Sequence, residues 1–260
     1  MAISIEAFHK LTPEAVKTFW DARRQAAEAQ KARGIQDQGN RSAVTTGKNM
    51  LGFVKMVHQL AVDNGLDAFD ILTDGRGDLT IPGFYRATKN WDLLIVCKKQ
   101  LVAAIEFKSL IGPSFGNNLN NRVEEALGNS VDILKAYSEG VFGQSAKPFL
   151  GYFFVLEDVA KSRAPIKTLS RHFPVLPEFQ KQSTGGRCEI FCTKLVREQL
   201  YDAAALLLTD RETGLKGEFR SLSQITSGER FATLLASKIA AFAAENPKEA
   251  ARCSSGQLHL

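Results

Sequence analysis

The 260 residues of the chain suffice for one large α/β domain or two small ones. Hydrophobic residues make up 44% and charged residues 23%, the balance of an ordinary soluble globular protein, and no apolar run reaches membrane-spanning length. A net charge of +5, spread along the chain with no polybasic tail, favours a polyanionic partner without establishing one.

A helix is expected first, with Thr12 as its cap, Pro13 in its first position and Glu14 complementing the dipole. Val16, Phe19, Trp20 and Arg23 recur on one face, and Gly34 ends it. Residues 34–47 read as a polar loop; Arg41, Thr45, Thr46 and Lys48 could wrap a polyanion or simply meet solvent. A second helix runs from about Asn49 to Asp63, with Met50, Phe53, Val54, Val57 and Ala61 inward and Gly65 in the terminal glycine position. Residues 66–91 read as extended and irregular, with a turn at Asp74-Gly75 and a short strand at Leu79 to Ile81.

Two apolar runs, Leu93 to Val96 and Leu101 to Ile105, flank the polar break Lys98-Lys99-Gln100 and form a hairpin. Residues Gly112 to Asn118 form a turn-rich loop. The helix beyond it shows Val123, Ala126, Leu127, Val131, Leu134 and Tyr137 at helical spacing. Phe149 to Leu156 reads as a central strand buried on both faces, parallel to 101–108 by the crossover rule. Lys161 to Gln182, with Pro165, Pro174 and Pro177, is irregular. Glu189 to Leu208 is expected as a third long helix, with Leu195, Leu200, Ala203, Leu206 and Leu207 inward. Thr226-Ser-Gly-Glu229 reads as a capping box for a last helix to about Glu245, and the tail from Asn246 as frayed. No repeat or linker divides the chain, which is read as a single domain, 1–260, with a mainly helical N-terminal region 1–65 and a C-terminal helix 226–245.

Cysteines at 97, 188, 192 and 253 show no zinc-ligand spacing, and the first residues show no signal peptide. Free thiols and a cytoplasmic location are expected. His9, His58, His172 and His259 are scattered and do not outline a zinc or His-Asn-His nuclease site; structural roles are expected for His58 and His172. No Gly-x-Gly-x-x-Gly follows a strand, which removes a Rossmann-type methyltransferase.

The chemistry concentrates on the hairpin. Asp92 opens its first run, and the second ends on Glu106-Phe107-Lys108. Side chains two apart in a strand share a face, so Glu106 and Lys108 point one way and Phe107 points into the core. A suitable register places Asp92 beside them. Two carboxylates and an ammonium can then hold Mg²⁺ on oxygen ligands and position a water for attack on phosphorus. As a bare pattern this also arises by chance, and a solvated hairpin with a surface ion pair is the alternative. Charges beside buried runs are costly, which a catalytic site would explain.

The block from Pro82-Gly83-Phe84 through Thr88-Lys89, Trp91-Asp92-Leu93-Leu94, Ala104-Ile105-Glu106-Phe107-Lys108-Ser109 and Gly112-Pro113-Ser114-Phe115-Gly116-Asn117-Asn118 to Asn120-Asn121-Arg122 and Glu124-Glu125-Ala126 resembles the XhoI-like type II restriction endonucleases. The close likeness spans Gly83 to Glu139, and a weaker one extends over most of the chain, including Gln38-Gly39, Gly47-Lys48-Asn49-Met50, His172-Phe173-Pro174-Val175 and Pro177-Glu178-Phe179. The resemblance implies a PD-(D/E)XK nuclease, an α/β restriction-endonuclease-like fold with a central mixed β-sheet flanked by helices. It puts the metal-binding acids on Asp92 and Glu106 and the catalytic lysine on Lys108; Trp91 stands where the motif has proline. The carbonyl of Phe107 is the third expected metal ligand. Cleavage of double-stranded DNA at the palindrome CTCGAG, leaving 5′ overhangs, is implied, alongside a cognate methyltransferase with which no stable complex is expected. A two-fold site suits a homodimer, and the N-terminal helical region and the last helix are candidate interfaces. The alternatives are a repair or junction nuclease of this fold without sequence readout, and a DNA-binding module without chemistry.

Asn117, Asn118, Asn120, Asn121 and Arg122 are candidate DNA contacts, since asparagine can read adenine and arginine guanine. One or two of these asparagines would instead serve the helix start. Arg86 and Lys89 are candidates for phosphate contact. Glu124, Glu125 and Asp132 are read as a solvated helical face, with Glu125 a distant candidate for an extra metal ligand.

Overall fold

The computed structural model describes residues 3–32, 48–75 and 78–246. The expected loop 34–47, with Arg41, Thr45 and Thr46, lies outside them, as do Cys253 and His259. Six α-helices are described: α1 (Glu6–Ala32), α2 (Leu51–Asp63), α3 (Phe115–Ser138), α4 (Ala160–Arg163), α5 (Thr184–Arg197) and α6 (Gly228–Glu245). The strands are β1 (Ile71–Leu72), β2 (Thr80–Pro82), β3 (Thr88–Asn90), β4 (Leu93–Cys97), β5 (Gln100–Leu110), β6 (Phe149–Glu157) and β7 (Ala203–Thr209).

The main sheet has the order β1-β4-β5-β6-β7. Its first two pairings are antiparallel and its last two parallel, so the sheet is mixed. The β5–α3–β6 crossover supplies the parallel step, as the long apolar run at 149–156 implied. Alternation along β6 divides the core in two. Phe153 and Val155 face Phe19, Phe53 and Leu235 of α1, α2 and α6; Tyr152 and Phe154 face Ile133, Phe191 and Leu195 of α3 and α5. Helices thus cover both faces of an α/β sheet. Gly52 lets α2 approach α1 closely, since a Cβ there would lie 2.7 Å from the Cα of Ala15. Gly65 leaves α2 in the left-handed conformation (φ 105°), the terminal role expected of it.

Four elements depart from the sequence reading. Helix α1 begins at Glu6, so Thr12 is buried within it and Pro13 lies inside rather than at its start. An interior proline costs a helix about 3 kcal/mol. Burial of Ala7 and Phe8 ahead of it offsets this, a buried Phe alone contributing roughly 1.5–3 kcal/mol. Helix α3 begins at Phe115, inside the segment expected as a loop, and leaves Leu127 and Val131 exposed.

The expected helix 189–208 is instead α5, a turn and strand β7. Gln199 takes a positive φ of 57° after α5, without the glycine that would announce the stop. Ala203 to Leu208 then alternate between the two cores, and burial on both faces overrides the helix preference of Ala and Leu. At α6 the cap is Ser227, whose hydroxyl accepts from the Arg230 N–H; the Thr226 hydroxyl donates instead to Glu189 Oε2 at 2.6 Å.

Candidate active site

The β4–β5 hairpin closes on Lys98 and Lys99, both with positive φ (45° and 65°), the backbone that a two-residue hairpin turn of the primed type needs. That turn and one bulge at Val102 fix the register at Leu93 opposite Ile105. One step beyond this last pair, Asp92 stands opposite Glu106. Asp92 Oδ2 accepts from the Phe107 N–H at 2.8 Å, which ties the carboxylate to the partner strand. A strand residue directs its N–H and C=O to the same neighbour, so the Phe107 carbonyl faces the Asp92 side too.

Glu106 occupies a sheet position whose neighbours along the strand are apolar, and it is 1% exposed. Its charge is tolerable there because cations and a donor surround it. Lys108 Nζ lies 2.6 Å from Oε2, Lys89 Nζ pairs with Oε1, and Asn129 Nδ2 donates to Oε1 at 3.2 Å. Burial opposes ionisation of Glu106, but Lys108 and Lys89 outweigh it and hold its pKa below the usual carboxylate range. Asp92 moves the other way. Two-fifths of its side chain stays open, yet loss of hydration and then the Glu106 charge push it up to about 6. Lys108, 3.8 Å from Asp92 Oδ2, only partly compensates. Its own ammonium is disfavoured by burial but kept charged by Glu106 and Asp92, so its pKa is raised.

Behind these groups lies a clamp that sequence reasoning missed. Asn129 Oδ1 accepts from Arg86 Nη2 at 2.7 Å while its amide serves Glu106. Arg86 Nε donates to Asp132 Oδ2 at 2.8 Å, and Asp132 Oδ1 accepts from the N–H groups of Phe84 and Tyr85 at 2.9 and 2.7 Å. Asp132 is therefore buried, not part of a solvated face; Glu124 and Glu125 are exposed as expected. Asn129 carried no obvious motif. Its signal was position: it shares one helical face with Ala126, Ile133 and Ala136, all buried. Arg86 and Lys89, expected at phosphates, are engaged here with protein carboxylates.

A cleft of about 360 Å³ opens over Trp91, Asp92 and Lys108, walled by Arg23 from α1 and Arg122 from α3. None of His9, His58 and His172 lines it. Asn117, Asn118, Asn120 and Asn121 are exposed on the first turns of α3 and are not its cap, which is Ser114. At 100° per residue, Asn118 shares the flank of Arg122, whereas Asn120 lines a separate apolar groove with Val123 and Leu127. Arg122 pairs with Glu125 at 2.6 Å.

The chain matches the family model for restriction endonuclease XhoI over residues 29–221. It belongs to that family. The type II restriction enzyme BstVI of Geobacillus stearothermophilus is 46% identical over 190 residues, covering 71% of this chain and 84% of that protein. The type II restriction enzyme XhoI of Xanthomonas vasicola is 43% identical over 196 residues, 75% of this chain and 78% of the relative. The type II restriction enzyme AbrI of Azospirillum brasilense is 44% identical over 173 residues, 66% and 77% of the two chains. No solved structure matches the chain. Membership bears out the resemblance carried by the block 82–126, and with it the class of enzyme, a restriction endonuclease.

The site's donors suit a divalent cation. Among the described residues no group of three or more His, Cys, Asp or Glu side chains gathers. Two carboxylates held face to face, beside a carbonyl, are hard oxygen ligands of the kind that Mg²⁺ takes while keeping several waters. Burial first and then the Glu106 charge raise Asp92, and the repulsion between the two carboxylates is what a bound cation would relieve.

Proposed function

We propose that this protein is a Mg²⁺-dependent endonuclease that cuts double-stranded DNA at a short palindrome, CTCGAG being the first sequence to test, with 5′ overhangs. The observation that carries this reading is the convergence of Asp92, Glu106 and Lys108 at the open end of one hairpin, in a chain of this family. Asp92, Glu106 and the Phe107 carbonyl would hold Mg²⁺. Bound there, the ion supplies an acidified water and neutralises charge building on the phosphate.

The remaining work falls to the chain's own groups. Lys108, charged and anchored 2.6 Å from Glu106, orients the attacking water and stabilises charge on the pentacovalent phosphorus. Lys89 and Asn129 hold Glu106 in one rotamer, and the Arg86–Asp132 pair holds Asn129 and the turn 83–86. Asn117, Asn118, Asn120, Asn121 and Arg122 are the candidates for DNA contact, with Asn118 and Arg122 on the flank toward the cleft. A homodimer would set one site on each strand of a two-fold sequence, in the cytoplasm beside a methyltransferase of the same system.

Digestion of a sequenced plasmid tests the reading. Discrete fragments with mapped ends at one palindrome are expected with Mg²⁺ and none with EDTA. Smears or random nicks would replace it with an unspecific nuclease of the same fold, and a gel shift without cleavage with a binding module. Sedimentation of the protein free and on DNA tests the dimer.

A further inference from the structure

Arg23 lies on α1, far in sequence from the motif block, yet it forms one wall of the catalytic cleft. Its side chain is buried, with 9% of the residue exposed. The guanidinium stacks on the Phe19 ring at 4.7 Å from the centroid, and Nη2 donates to Ser109 Oγ at 3.1 Å. Nε is buried with no hydrogen-bond partner. Among the described residues no carboxylate pairs with it. Glu157 is the acidic group that acts on it, but the oxygens of Glu157 are taken by the Gly112 N–H at 2.8 Å and Arg211 Nε at 2.7 Å. A buried cation without an anion is expensive, and this one is pushed down to about 10, first by burial.

We infer that Arg23 is a phosphate receptor of the catalytic cleft, binding a non-bridging oxygen of one DNA backbone phosphate. The inference rests on the nuclease reading of this site. The guanidinium is fixed by stacking and by Ser109, so a ligand meets a preset donor rather than a mobile side chain. Arg23 and Ser109 line the same cleft as Asp92 and Lys108, so a group held by Arg23 lies near the reacting centre. DNA presents backbone there, and the forked guanidinium matches phosphate oxygens. Arg23 reaches the cleft from the α1 side of the sheet and Arg122 from the α3 side, so the strand passes between two cations. A phosphate would give Arg23 the anion that the folded protein withholds.

The test pairs Arg23→Gln with duplexes carrying a single neutral methylphosphonate, scanned across the recognition site. Binding is measured in Ca²⁺ and cleavage in Mg²⁺. For the unmodified protein, one position near the scissile bond should depress binding about tenfold or more, the scale of a lost charged hydrogen bond. Arg23→Gln should bind unmodified DNA correspondingly more weakly and lose sensitivity at that one position while keeping it at the others. Its melting temperature should stay near that of the parent protein. Arg23→Met, which retains a stem over Phe19, replaces it if the Gln variant does not fold. Loss of the fold in both would make Arg23 a structural residue and overturn the inference. So would a folded variant that still senses every methylphosphonate. If the unmodified protein cuts no DNA, the nuclease reading falls; if it cuts and Arg23→Gln matches it, only the role of Arg23 falls.

Discussion

Asp92 and Glu106 face each other across the open end of the β4–β5 hairpin, and their acidities move in opposite directions. The difference arises from their neighbours. Two lysines and an amide converge on Glu106, whereas Asp92 has one backbone N–H and a distant share of Lys108. The pair therefore makes opposite contributions to stability.

With Asp92 raised to about 6, the folded protein binds this proton more tightly than the unfolded chain. Its contribution is present below the unfolded value near 4 and is lost as pH rises through about 6. Without metal, Asp92→Asn should melt higher than the parent protein at pH 8, and the two should converge below about pH 4. Glu106 is lowered, so its contribution is present above the unfolded value and lost in acid. Glu106→Gln leaves two part-buried ammonium groups short of a carboxylate and should cost about 3 kcal/mol at neutral pH. Melting curves in EDTA across pH decide this. A Asp92→Asn variant that melts lower at pH 8 would mean that Asp92 is a stabilising anion and that its crowding is misjudged.

Chemistry should follow the same groups. Asp92→Ala, Glu106→Ala and Lys108→Met are each expected to remove cleavage while DNA binding in Ca²⁺ stays measurable. Calcium tolerates looser geometry than magnesium and should support binding without turnover. Because a metal ligand must be deprotonated, cleavage at limiting Mg²⁺ should rise with pH through about 6 and then level, the rise shifting to lower pH as Mg²⁺ is increased. Near-normal cleavage by either alanine variant would remove these acids from the reaction.

The hairpin and β6 were legible in the sequence because uninterrupted apolar runs bounded by turns have few other uses. Asp92, Glu106 and Lys108 were legible because charges adjoin those runs. Strand β7 was not, since Ala-Ala-Ala-Leu-Leu-Leu has good helix propensity and its burial on both faces is a property of the assembled sheet. The start of α1 was hidden by a proline that normally marks a first turn. Asn129 was overlooked and Asp132 read as solvated for one reason: polar residues on helices read as solvated unless the apolar face they interrupt is traced first, and their partners lie more than twenty residues away. Arg23 was placed on the apolar face of its helix, but its partner Ser109 lies 86 residues away and only the fold brings it to the cleft.

The clamp around Asp132 predicts opposite outcomes for two glycine substitutions. A Cβ at Gly83 would collide with the Asp132 carboxylate and lie 2.8 Å from the Arg86 carbonyl. Gly83→Ala should cost roughly 1–3 kcal/mol, the range for overpacking, and lower cleavage by loosening Asn129 from Glu106. Gly128, one turn before Asp132 on α3, meets nothing within 4 Å. Gly128→Ala should stabilise by about 0.5–1 kcal/mol through helix propensity. Urea unfolding of both variants checks the contrast. Equal effects would show that the turn 83–86 yields freely and exerts no control over the site.

Specificity is expected to divide along α3 by helical face. Arg122 lines the cleft, Asn118 stands one turn before it on the same flank of the helix, and Asn120 lines the apolar groove on another flank. Direct readout needs side chains that reach base edges in the major groove, each bidentate contact discriminating by about 1–3 kcal/mol. Asn118→Ala and Arg122→Ala should therefore reduce the ratio of cognate to single-mismatch cleavage by roughly tenfold each, with a smaller change in unspecific affinity. Asn120→Ala should leave that ratio unchanged. Arg86→Ala should also leave it unchanged, because Arg86 is committed to Asp132 and Asn129 and acts on the reaction through them. Its cleavage should fall equally on cognate and mismatched sites. One helix face cannot address a whole half-site, so residual discrimination is expected in every variant. If Asn118→Ala and Arg122→Ala both keep the parent ratio while Asn120→Ala loses it, the reading face is the one over the apolar groove, and the DNA approaches α3 from the other side.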